Sequence, residues 1–230
     1  MGDEFRVSGL PAEAVPANLA LFYAQAQARA GAGHYQASMY RAPHQLERLE
    51  AVVAMLEWCA GQGARSCLEV GCCEGVMTAR LAPLFEEVVA VDFTPELLAA
   101  CPTLPGVTYE QHNAETWTPD RPFDVVVLSE VVEHLRDPLG VVRRLASRAE
   151  WLVVSTPVNE TPNPRTFDPL LLGNEAAIGD AAGHVWCFAP GDLLALVEAA
   201  GLSVISQTLS GVTEIICAQV PPLPVAESSG

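Results

Sequence analysis

Five short apolar segments constrain the fold most: SCLEV (66–70), EVVAVD (87–92), VTYEQH (107–112), FDVVVLS (123–129) and WLVVST (151–156). Helical patterns at 75–85, 95–101 and 137–148 lie between them. Segments apolar on both faces and alternating with helices imply a parallel sheet covered on both sides. Further on, 189–201 reads as a helix, with Pro190 near its start and Gly201 past its end. LSVISQTLS and VTEIICAQV then read as an antiparallel pair at a sheet edge. Ahead of the first strand, HQLERLEAVVAMLEWCA (44–60) forms an amphipathic helix, with Leu46, Leu49, Val52, Val53, Leu56 and Cys59 on one face. Another helical pattern covers 17–30. The expected organisation is a tail and lid helix over 1–43, one α/β domain over 44–220 and a disordered tail over 221–230.

With 230 residues, half of them hydrophobic, the chain can build one full core. No apolar run reaches the roughly 18 residues of a membrane span. The start, MGDEFRVSGL, lacks a signal pattern, so a cytoplasmic location is expected. The formal charge is −16, and all 12 basic residues are arginines. Without lysine, mechanisms built on a catalytic amine, a Schiff base or a phosphate-loop lysine are excluded. The acidity also argues against nucleic acid as a partner, because sequence-blind contact needs a basic surface. The seven cysteines form no C-x-x-C pair and are expected to be reduced, buried thiols.

The segment LEVGCCEGVMT (68–78) carries the clearest chemical signal. A strand runs into a turn marked by Gly71 and Gly75, and a helix follows. Such a turn lets a ligand approach the backbone, beside free N–H groups at the helix start. Asp92 ends the second strand, where a carboxylate at the crevice edge can accept both hydroxyls of a ribose. Neither G-x-G-x-x-G nor G-K-[ST] is present, which disfavours a dinucleotide or a nucleoside triphosphate. Glu69, just before the turn, suits a ligand with an amine or sulfonium better than one with phosphates.

Together LEVGCCEG, VVAVDFTPELL, EQHNAETW, FDVVVLSEVVEHL and WLVVSTP resemble the class I (Rossmann-like) S-adenosylmethionine-dependent methyltransferases. The resemblance spans about residues 44–219. It implies a doubly wound seven-stranded, mostly parallel sheet whose last strand is antiparallel, with an N-terminal helical lid. It also implies that Glu69, Gly71 and Gly75 hold the methionine end of S-adenosylmethionine, while Cys72 and Cys73 contribute backbone. Asp92 would bind ribose and Phe93 would lie against adenine. Asn113 and Ala114 would meet the adenine edge, and Ser129 and Glu130 would close the pocket below the reactive methyl group. One departure stands out: the family commonly has glycine where Cys73 stands.

A second cluster follows the fourth strand. If a helix begins at SEVVEHL, then Glu130, Glu133 and His134 share one face. Paired carboxylates with an imidazole suit a divalent cation such as Mg²⁺, Mn²⁺, Fe²⁺, Co²⁺ or Zn²⁺, and His184 offers a further ligand. The E-x-x-E-H pattern is similar to that of ubiquinone-type O-methyltransferases and of small-RNA 3′-terminal 2′-O-methyltransferases, where it holds metal. Many family members carry the same pattern without metal; there the histidine is a general base or a loop anchor. Glu130, His134 and His184 are the catalytic candidates under either reading.

Tyr35, Tyr40 and His44 precede the core as candidate lid residues; HYQASMYR resembles a segment of nodulation-type N-methyltransferases, with ordinary helix-packing aromatics as the alternative. Trp186 and Phe188 are candidates for the acceptor border, with an ordinary core role as the alternative. Arg143, Arg144 and Arg148 read as a solvated helix face. The expected partner is a small-molecule acceptor methylated at oxygen or nitrogen, in a monomer or homodimer. The alternatives are a metal-dependent RNA 3′-terminal ribose methyltransferase, favoured by E-x-x-E-H and opposed by the charge, and a non-catalytic cofactor-binding subunit.

Overall fold

The computed structural model describes residues 43–158, 186 and 188–221; the expected lid residues Tyr35 and Tyr40, the His44 side chain and His184 lie outside them. The first described element is helix α1 (Pro43–Gly61), followed by β1 (Ser66–Val70), α2 (Thr78–Leu81), β2 (Glu87–Asp92) and α3 (Pro95–Leu98). Next come β3 (Val107–Gln111), β4 (Phe123–Ser129), a 3₁₀ turn (Val132–His134), α4 (Pro138–Ala146) and β5 (Ala149–Pro157). Helix α5 (Asp192–Ala199) and strands β6 (Ser203–Ser210) and β7 (Thr213–Gln219) close the fold.

The strands form one seven-stranded sheet of order β3-β2-β1-β4-β5-β7-β6. Strands β1 to β5 pair in parallel; β7 runs antiparallel to both β5 and β6, leaving β6 at the edge. The order reverses between β1 and β4, so their carboxyl ends open a crevice, where ligands of doubly wound sheets bind.

Each face of the sheet has its own core. On one side α1 lays Leu49, Val52, Val53, Leu56 and Cys59 over Cys67, Val125, Val127, Val153, Ile215 and Cys217. On the other, Val141 and Leu145 of α4 and Leu193 and Leu196 of α5 cover Leu68, Val126, Leu152, Val154 and Ile216. Each of the valines, leucines and isoleucines among them contributes roughly 1.5–3 kcal/mol on burial. Leu46 departs from the expected apolar face of α1: it is 44% exposed. Trp58, also on α1, meets Trp151 edge-on at 6.4 Å.

Apart from α1, the helices are shorter than their patterns. The 75–85 pattern narrows to the four residues of α2, because Pro83 cannot continue the helical hydrogen bonds. Helix α5 starts at Asp192 rather than 189, since its N-cap Gly191 takes a φ of +92°. Helix α4 is well set: Asp137 caps it by accepting the Gly140 N–H at 2.8 Å, with Pro138 in the first turn.

Candidate active site

The turn after β1 is tied to the sheet at its base. The N–H groups of Gly71 and Cys72 both donate to the Val91 carbonyl, at 2.8 and 3.1 Å. Gly71 and Gly75 hold φ values of +79° and +76°, in the left-handed region that favours glycine. A Cβ at Gly71 would also lie 2.6 Å from Val131 Cγ2, so a side chain here would have to displace Val131 as well as strain the backbone. Cys73 takes φ +50° without being glycine. The backbone of this chain keeps a left-handed turn there and carries a thiol on it.

Asp92 joins the turn to β2. Its Oδ2 accepts the Cys73 N–H at 3.0 Å and its Oδ1 accepts the Thr94 N–H at 2.8 Å. The carboxyl is 5% exposed, and burial pushes its pKa up while the Thr94 and Cys73 N–H groups pull it down. Each oxygen keeps a further acceptor position. Glu69 lies beneath, 3% exposed, with Thr78 Oγ1 donating to its Oε2 at 2.6 Å. Burial pushes Glu69 up to about 8; the Thr78 hydrogen bond opposes this and the charge of Asp92 adds to it.

Cys72 is buried and Cys73 partly so. Burial, reinforced by the nearby acids, pushes both thiols well above their usual range. Cys101 donates to the Cys73 carbonyl at 3.3 Å, and burial raises it to about 11. Shifted in this direction, all three thiols are expected to hold little thiolate near neutral pH.

Past β2, the Gln111 amide donates to the Phe93 carbonyl at 3.2 Å. Asn113 Oδ1 accepts the Glu115 N–H at 2.9 Å, and the Asn113 carbonyl accepts from Thr116 and Trp117. His112 stacks on Trp117, with centroids 4.2 Å apart. Arg144 is not the solvated cation the sequence suggested. It reaches from α4 to donate to the carbonyls of Trp117, at 3.1 Å, and Ala114. Asn113 and Ala114 therefore sit on a segment braced from below.

The cluster after β4 is arranged differently from the one-face helix expected of it. Glu130 has φ +58°, and only Val132–His134 form a 3₁₀ turn. A left-handed residue breaks the helical register, so Glu130 and Glu133 point to different partners. Glu130 Oε2 pairs with Arg48 Nη1 of α1 at 2.9 Å, and its Oε1 accepts from Ser155 Oγ at 3.1 Å. Ser155 Oγ also lies 3.0 Å from Ser129 Oγ. Glu133 is 1% exposed and accepts from Thr156 Oγ1 at 3.0 Å. His134 Nε2 lies 3.9 Å from Glu133 Oε1.

Among the described residues no group of three His, Cys, Asp or Glu side chains is placed to hold a metal ion. The expected set of Glu130, Glu133 and His134 is split: a guanidinium stands at Glu130, and Glu133 is turned into the core. Among the described residues, then, Glu130, Glu133 and His134 do not converge on one cation position, and His184 lies outside them. Trp186, expected at the acceptor border, is 7% exposed and anchors the His134 segment instead; its N–H meets the Glu133 carbonyl at 3.0 Å and its Nε1 meets the Leu135 carbonyl at 2.6 Å. Phe188 is fully buried in the same core.

Read from the sequence, Arg48 and Thr78 had no role, and Arg144 had a different one. Arg48 had a readable signal: it lies four residues before Val52 and eight before Leu56, on the buried face of α1.

A family profile described as a methyltransferase domain matches residues 33–207. The chain belongs to this methyltransferase-domain family, whose class I, S-adenosylmethionine-dependent members share the sheet described above. The ubiquinone biosynthesis O-methyltransferase of Xanthomonas campestris pv. campestris is 35% identical over 125 residues, covering 50% of this chain and 50% of the relative. A probable S-adenosylmethionine-dependent methyltransferase of Mycobacterium tuberculosis is 38% identical over 112 residues, covering 46% of this chain and 41% of the relative. The matched region thus spans about half the length of these curated relatives. Among solved structures, the N-methyltransferase NodS from Bradyrhizobium japonicum with S-adenosylhomocysteine superposes with a TM-score of 0.63 at 17% identity, over 86% of this chain and 97% of that one. The methyltransferase domain of bacterial CtHen1 gives 0.58 at 20% identity, over 77% and 98%. Among the described residues no helix is long and apolar enough to cross a membrane.

Proposed function

We propose that the chain transfers a methyl group from S-adenosylmethionine to an oxygen or nitrogen of a small-molecule acceptor. The observation that carries this reading is the placement of Glu69 and Asp92 around the 71–75 turn, at the carboxyl ends of β1 and β2. Two acids with acceptor positions to spare suit a ligand with a cationic end and a vicinal diol. Asp92 would receive the ribose hydroxyls, and its bonds to the Cys73 and Thr94 N–H groups keep it aimed. Glu69 would face the cationic methionine end. Phe93, Asn113 and Ala114 would border adenine, on a segment held by Arg144. The cofactor supplies an electrophilic methyl group when bound.

On the acceptor side, Ser129 and Glu130 stand at the carboxyl end of β4, fixed by Ser155 and Arg48. His134 follows and is the candidate to take the proton that the acceptor gives up. Much of the rate would come from holding the acceptor in line with the methyl group. This reading needs no metal, because Glu130 is neutralised by Arg48. It is tested by incubating the protein with S-adenosylmethionine and a panel of catechols, phenols and amines, with and without EDTA. Mass spectrometry should find one added methyl in a product whose yield EDTA leaves unchanged and His134→Ala cuts about a hundredfold. Loss of turnover in EDTA would restore the metal reading.

A further inference from the structure

Thr78 opens α2, three residues after Gly75, and its side chain is fully buried. A threonine at a helix start ordinarily turns its hydroxyl to the backbone. Here the cap position belongs to Met77, and the Thr78 hydroxyl is given instead to Glu69, at 2.6 Å. Among the described residues no other donor reaches that carboxyl. From β3, the Tyr109 hydroxyl presses on the same turn, 3.1 Å from where a Gly75 Cβ would stand. The carboxyl is thus tied through one oxygen to the first residue of α2, leaving the other for a ligand.

We propose that Thr78 is a positioning residue of the cofactor site: its hydroxyl fixes the Glu69 carboxyl toward the cationic end of the cofactor and favours the ionised form, so that cofactor capture releases a proton. The inference rests on the reading of the site as one for S-adenosylmethionine.

The surroundings of Glu69 support it. The titratable groups that face it are Cys67 on β1, Asp92 on β2, Cys72 and Cys73 in the turn, Cys101 after α3 and Tyr109 on β3. All are acids or thiols. Burial among them pushes Glu69 up to about 8, which favours the protonated carboxyl in the free protein near neutral pH. The ammonium of the cofactor favours the carboxylate and displaces that proton. A hydrogen bond to a carboxylate stabilises the charged form, so removing the Thr78 hydroxyl raises the Glu69 pKa further.

The test is calorimetric titration with S-adenosylhomocysteine at about pH 7 and about pH 8.5, on wild type, Thr78→Val and Thr78→Ser. Valine keeps the shape and removes the donor; serine keeps the donor. Taking the hydrogen bond as about one pKa unit, Thr78→Val should weaken binding about tenfold at pH 7 and about threefold at pH 8.5. Thr78→Ser should restore both. In wild type at pH 7, the binding enthalpy should vary with the ionisation enthalpy of the buffer, reporting proton release. An equal loss at both pH values that serine does not rescue would overturn the proposal and leave Thr78 a packing residue. Tight wild-type binding with no buffer dependence would also overturn it, with the cofactor reading intact. No wild-type binding at either pH would sink the cofactor reading and this inference with it.

Discussion

Arg48 on α1 and Glu130 at the end of β4 form an ion pair 2.9 Å long, with side chains only 10% and 21% exposed. The pair bolts the first described helix to the mouth of the crevice between β1 and β4. Removing one partner leaves the other charge in a poorly solvated site. Arg48→Ala is expected to destabilise the fold by about 3 kcal/mol, at the lower end for a buried pair because Glu130 keeps some solvent contact. In a double-mutant cycle read by urea unfolding, Arg48→Ala with Glu130→Ala should cost well below the sum of the two single changes. Strict additivity would mean the pair contributes no coupling.

Cys73 holds a left-handed backbone that glycine adopts without strain. Cys73→Gly is expected to raise stability by about 0.5–1 kcal/mol, the strain relief being partly offset by the freer unfolded chain. Affinity for S-adenosylhomocysteine should be unchanged. A lower Tm would mean that thiol packing outweighs the backbone term.

The two acids at the turn make the ligand-free protein sensitive to base. Glu69 and Asp92 both have folded pKa values raised above their ordinary ones, Glu69 to about 8. In the window between the ordinary and the folded value, the folded state holds protons that the unfolded state has released. Stability from these groups is complete below the ordinary carboxylate range and is lost as pH rises toward about 8. Tm should therefore fall across this window, and Glu69→Gln should flatten the fall. A Tm that climbs steadily to pH 8 in wild type would contradict the burial argument.

The thiols lining the turn should be slow to react. With Cys72 and Cys73 held far above the ordinary thiol range and Cys101 near 11, little thiolate exists at neutral pH. Iodoacetamide at about pH 7.5 should label these three in the native protein at least tenfold more slowly than after unfolding. Fast native labelling of Cys72 or Cys73 would make the pair a reactive site.

Much of this architecture was legible in the sequence, and the reason is burial. Strands β1, β2 and β4 are covered on both faces, so their apolar runs end where the strands end: Ser66–Val70, Glu87–Asp92 and Phe123–Ser129. Glu69, Gly71, Gly75 and Asp92 were legible because a tight turn and a strand-end acid leave marks in one short segment. The cluster after β4 was not. Its helical spacing assumed a regular backbone at Glu130, and no residue type in SEVVEHL announces a φ of +58°. Arg144 was misread as a solvated cation, and Thr78 was missed, for a different reason. Their partners, the Ala114 and Trp117 carbonyls and the Glu69 carboxyl, are set by tertiary packing, which periodicity does not encode.

The most direct test of the central claim is calorimetric titration of S-adenosylhomocysteine into the wild type and into Asp92→Ala, each first shown to unfold cooperatively. Wild type should bind one equivalent, and Asp92→Ala should bind about a hundredfold more weakly, having lost both the ribose acceptor and the tie to Cys73. Equal affinity in the two proteins, or no binding by the wild type, would contradict the assignment of the 71–75 turn and Asp92 as the cofactor site.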